Sequence, residues 1–179
     1  LNATLGQGQH DLDAMVHTDG VESWLWDGKT LRLSRLGVPT PGRPSGVVVV
    51  AWTLRENPSK PSESQLERWQ SPPVTTLDGW AKAWNMAELW GQMNPPELKN
   101  GTHRLQPTEK FQIYIFRDKS WTNPFSSDDL SASRAGGTPV TTKNQRPDGI
   151  RLVIAPSQVR GLAGDVTLDW ASASLRMAP

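Results

Sequence analysis

The chain has 179 residues, 36% of them hydrophobic and 21% charged, and 19 Lys+Arg against 18 Asp+Glu leave a net charge of +1. That length fits one domain with a proper core, and charge so balanced and scattered carries no electrostatic footprint for a polyphosphate such as nucleic acid. Cysteine is absent, which excludes a disulfide framework, zinc–thiolate sites, iron–sulfur clusters and a Cys nucleophile, and no apolar run approaches the roughly 20 residues that cross a bilayer.

The first residue is Leu, and no charged leader with an apolar stretch follows it, so an upstream segment is expected to have been removed. Leu1, Leu5, Leu12, Met15 and Val16 fall on one helical face with Gly8, which predicts a helix to about Val16. Gly6 and Gly8 each cost that helix about 1 kcal/mol relative to Ala. It therefore needs a surface to lie on, or a longer helix before it. Beyond His17 the period changes to short extended pieces. Trp24–Trp26 and Leu31–Ser34 flank Asp27-Gly28, the dipeptide that supplies the positive φ angles of a two-residue hairpin turn.

Pro39, Pro41 and Pro44 make residues 37–46 a loop. Val47 to Val50, continuing through Leu54, is a β-branched run that predicts a strand buried on both faces. Arg55 to Ser64 reads as a polar, proline-containing loop, with Leu66 to Gln70 the returning strand. Leu77, Trp80, Ala81, Trp84 and Ala87 recur at helical spacing, so Thr76 to Leu89 is a predicted amphipathic helix capped by Thr76, with Trp80 and Trp84 packed inward beside Leu77 and Ala81. Asn94 to Pro107 reads as a second loop, Phe111 to Phe116 as a strand, and Ser126 to Gln145 as a mobile Ser/Thr/Gly-rich stretch. Ile150 to Ala155 and Val166 to Trp170 are the last two predicted strands.

Catalytic constellations do not emerge. The three histidines, His10, His17 and His103, have no G-x-S-x-G nucleophile to serve and read as polar surface. Asp11 with Asp13, and Asp128 and Asp129 with Asp118, crowd carboxylates but lack the D-x-[DN]-x-[DN]-G spacing of a calcium loop, so they read as solvated turns. No P-loop or G-x-G-x-x-G occurs. Nine Trp against one Tyr and three Phe is the compositional oddity. It fits a core built on indole rings, or an aromatic platform of a secreted carbohydrate-binding module.

Segment order carries more than any one motif. Trp26-Asp27-Gly28-Lys29-Thr30-Leu31-Arg32-Leu33-Ser34-Arg35, Val48-Val49-Val50-Ala51-Trp52-Thr53 and Leu66-Glu67-Arg68-Trp69-Gln70-Ser71-Pro72 together resemble the J-type minor pseudopilins of bacterial type II secretion. Phe111 to Phe116, then Trp121-Thr122-Asn123-Pro124, then Pro147-Asp148-Gly149-Ile150-Arg151-Leu152-Val153-Ile154 is similar to that family's ending. The family's basic leader and apolar Phe-Thr-Leu-x-Glu helix are missing here, and Pro147-Asp148-Gly149 replaces its usual proline followed by an apolar residue.

The resemblance implies an α+β fold in which a truncated pilin-type helix, residues 1–17, packs on a mostly antiparallel β domain, residues 18–179. It further implies a non-enzymatic subunit of the pseudopilus tip that needs no cofactor or metal. Such a subunit is the periplasmic part of a protein anchored in the inner membrane of a Gram-negative bacterium. Its expected partners are I-type and K-type pseudopilins and the secreted cargo, with Leu1, Leu5, Leu12, Met15 and Val16 as the partner-binding stripe. A minor pilin of a type IV pilus is the related alternative.

Overall fold

The computed structural model describes residues 1–39, 41–42, 45–57, 59–117, 119–124, 147–157 and 164–172. Helix α1 (Asn2–Asp13) precedes β1 (Trp24–Trp26), β2 (Thr30–Leu36), β3 (Val47–Asn57) and β4 (Lys60–Gln70). Helix α2 (Leu77–Met93) and a 3-10 helix (Pro96–Gly101) follow, then β5 (Thr102–Arg117), β6 (Ser120–Thr122), β7 (Gly149–Pro156) and β8 (Val166–Ala171). The eight strands form one antiparallel sheet in the order β1-β2-β3-β4-β5-β7-β8, with β6 paired to β5 off that path.

The expected α+β arrangement is overturned. The chain is mostly antiparallel β, with 48% strand, a curled half-barrel sheet and only three helices among the described residues, one of them N-terminal, and it is not a pilin-type helix packing on a β domain. The physical reason lies in the inner face of α1, whose buried residues are Thr4, Gly8, Asp11 and Leu12. A carboxylate and two small residues make a short inset of the sheet's own core, where an apolar stripe would make a rod. The helix ends at Asp13 because the next residues join the sheet. Val16 N–H donates to Ser34 O at 2.8 Å, Leu36 N–H donates to Ala14 O at 2.9 Å, and Met15 bridges Arg35.

Curling follows from interrupted pairing. Register shifts fall between Leu66 and Glu67, where β4 meets β5, and between Thr108 and Lys110, where β5 meets β7. Each such irregularity bends a strand and steepens its twist. Period-two alternation then sorts the side chains. Leu31, Leu33, Val48, Val50, Trp52, Leu66, Phe111, Ile113, Ile150, Leu152 and Trp170 share one core cluster with Leu12 and Met15. Val49, Ala51 and Trp69 share a second cluster with Ala83, Trp84, Ala87 and Trp90 of α2. Strand β3 is thus buried on both faces, as its β-branched run predicts.

Three local expectations fail for identifiable reasons. The hairpin turn centres one residue later, on Gly28-Lys29: Asp27 N–H donates to Thr30 O, only Gly28 has a positive φ, and Asp27 Oδ1 accepts from the backbone of Lys29 and Thr30. The polar stretch from Arg55 to Ser64 is mostly strand, since Arg55 Nε donates to Glu67 Oε2 at 3.0 Å and cross-strand ion pairing replaces apolar packing. Residues 94–107 hold the 3-10 helix and the first part of β5. The stretch from Ser126 to Gln145 lies outside the described residues.

Candidate functional site

The structure does not assemble the predicted partner stripe as a free surface. Leu12 is fully buried, Met15 and Val16 are each 8% exposed, and all three are covered by this chain itself. Only Leu1 and Leu5 keep partly exposed faces. The stripe fails as a docking face because the half-barrel is wide enough to take its inner residues into the core.

Asp11, read from sequence as solvated, is instead the best-connected acid of the fold. It is fully buried. Arg68 Nε donates to Oδ2 and Arg68 Nη2 to Oδ1, both at 2.8 Å; Trp52 Nε1 donates to Oδ2 at 2.9 Å, and Arg35 Nε lies 3.0 Å from Oδ1. Gln70 Oε1 accepts from both guanidinium groups. Burial pushes the Arg35 pKa below its ordinary value, Asp11 opposes that, and the like charge of Arg68 adds to it. Two guanidiniums facing one carboxylate, all desolvated, leave no open position for substrate, so the cluster ties α1 to β2, β3 and β4.

The remaining candidates scatter. His10 and His103 are exposed, and exposed His17 shares a 2.9 Å hydrogen bond with Ser23. Asp118, Asp128 and Asp129 lie outside the described residues. Among the described residues no group of three or more His, Asp or Glu is placed to hold a metal ion, and no helix is long and apolar enough to cross a membrane. All nine Trp are described and none is exposed: Trp52, Trp69, Trp84, Trp90 and Trp170 are buried and the other four half-buried. Eight of the nine belong to or pack against the two core clusters, as the simpler reading of their number predicts, and Trp121 lies against Phe116 with the Arg151 guanidinium over its ring.

Among the described residues an open groove of about 390 Å³ is walled mainly by Val21, Leu36, Val47, Val74, Leu77 and Trp80, with hydroxyl side chains such as Ser45 and Thr75 also lining it. Its construction is local. Val74 and Val47 exchange two backbone hydrogen bonds of 2.8 Å, which pulls the segment before α2 alongside the start of β3. Gly46 permits that approach, because a Cβ there would stand 2.5 Å from Val74 O. We expect Gly46→Ala to cost about 1–3 kcal/mol as overpacking, read as a lowered urea midpoint at unchanged slope. Thr76 caps α2 by accepting from Gly79 N–H at 3.1 Å, and Trp80 Nε1 donates to Ser34 Oγ at 2.9 Å. The opposite wall is the turn in which Val21 N–H donates to Thr18 O.

The chemistry this permits is contact between apolar surfaces. Trp80's indole N–H and Thr76's hydroxyl oxygen already have partners, and Leu36 and Leu77 on the walls are 61% and 60% exposed. Nothing in the sequence brings these residues together. Leu36 ends a strand, Val74 sits between two loops, and Leu77 reads as inward-facing helix. No protein-family model matches the chain, and no curated protein matches it.

Proposed function

We propose that the protein is an assembly subunit of the J-type minor pseudopilin class, acting by binding and not by catalysis. In this reading it joins I-type and K-type subunits at the periplasmic tip of the secretion pseudopilus and helps to start the fibre that expels folded cargo. The groove beside Trp80 carries the reading. An exposed, mostly apolar concavity in which the Trp80 indole N–H and the Thr76 hydroxyl oxygen are already engaged suits another protein's side chains better than a polar substrate. The resemblance of the segments now seen as β1 to β7 supplies the class of partner. Contact through the β domain replaces contact through the helical stripe, since Leu12, Met15 and Val16 are taken up in the core.

The test mixes the protein with the soluble I-type and K-type pseudopilin domains of the same genome. Size-exclusion chromatography with light scattering is expected to show a complex with the I-type domain that the K-type domain enlarges. Separate elution of all three proteins contradicts the proposal.

A further inference from the structure

We infer that the groove takes an apolar protein segment flanked by lysine or arginine, an inference that rests on the assembly reading. The apolar half of that description follows from the walls. Leu36 and Leu77 are two of the six large hydrophobics left exposed among the described residues. They sit around one concavity, so covering them removes a single continuous apolar surface from water, whereas scattered exposed leucines would need no explanation. A sugar would require convergent donors and acceptors on the floor. Trp80's only donor is spent on Ser34.

The basic half follows from the lip. Asp19 is exposed in the turn between the wall residues Thr18 and Val21. Asp78, beside Leu77, is 77% exposed and pairs with Lys82 at 2.8 Å. Two carboxylates against one ammonium leave this part of the lip net negative, and Asp78 keeps most of its surface in water to meet a second cation. Charge at the rim of an apolar contact mainly selects the partner and speeds encounter. The complementary segment therefore presents leucine-like side chains to the groove and a Lys or Arg to the lip that carries Asp19 and Asp78.

The experiment uses the intact chain and the soluble I-type domain, titrated calorimetrically at low and at physiological ionic strength. Leu36→Asp with Leu77→Asp is expected to weaken binding by about tenfold or more. Asp19→Lys with Asp78→Lys is expected to weaken it most at low ionic strength and to reverse its salt dependence, because a screened attraction becomes a screened repulsion. All four positions are exposed, and matching thermal unfolding of both double variants confirms that each still folds. A wild-type complex indifferent to both variants overturns the groove assignment while leaving the assembly reading standing. Tighter binding by the charge-reversed variant assigns the opposite partner charge and also overturns it. Self-association of the protein alone that disappears in Leu36→Asp/Leu77→Asp gives the groove to a second copy of this chain instead. No complex at all with the wild type contradicts both the assembly reading and the inference built on it.

Discussion

Asp11→Ala lowers the stability of the fold by about 3–5 kcal/mol, the loss expected when one member of a buried ion cluster is removed. The carboxylate is fully buried and receives both guanidiniums and the Trp52 indole N–H. Without it, Arg35 and Arg68 face each other as like charges that water cannot reach, and burial already holds the Arg35 pKa below its ordinary value. Desolvation is therefore the dominant cost. Replacing Asp11, Arg35 and Arg68 together by Leu, Met and Met should recover much of that loss, because an apolar cluster of similar volume has no charge to desolvate. Urea denaturation followed by tryptophan fluorescence measures both variants. Equal stability of Asp11→Ala and the wild type would mean that α1 is not tied to the sheet through this carboxylate.

Trp84→Ala is expected to cost about 3–5 kcal/mol, through lost transfer energy and the cavity left behind. Trp84 is buried between α2 and the sheet, its ring centroid lies 5.5 Å from that of Trp80, and the Arg32 guanidinium stands 5.1 Å over it. The deletion also strips the cover from Arg32, which keeps its 3.1 Å bond to Glu88. An unchanged urea midpoint would show that the ring lies outside the core. Glycan binding by the parent protein would then restore the aromatic-platform reading.

What the sequence makes legible is decided by how local the signal is. The run Val47–Leu54 needs only its own side chains to specify a strand buried on both sides, and β7 and β8 are equally explicit. Helix α2 is legible from its Thr76 cap to Leu89, but it runs one turn further, to Met93, and its inner face is rotated from the expected one. Trp84 and Ala87 are buried as predicted, whereas Trp80, expected to pack inward, is only half-buried and lines the groove, Leu77 and Ala81 point outward, and Ala83, Trp90 and Gly91 turn in. The first turn overhangs the sheet, so Leu77 has no strand beneath it and becomes a wall of the groove.

Illegible features depend on distant partners. Arg55 and Arg104 look like loop composition until β3, β4 and β5 lie side by side and pair both with Glu67. Asp11 looks solvated because Arg35, Trp52 and Arg68 come to it from three different strands. The groove is the extreme case, since its walls come from the turn after α1, the ends of β2 and β3, and the approach to α2. No period joins these pieces.

The proposed docking of the I-type domain in the groove beside Trp80 would leave its mark on the backbone amides around the groove. Hydrogen exchange of the protein, alone and with the I-type domain in excess, tests it most directly. Added protection is expected to be confined to the backbone amides around Thr18–Val21, Gly46–Val47 and Val74–Trp80, with α1 and β8 unchanged. Protection that appears along α1 or β8 while the groove segments exchange as in the free protein would contradict it.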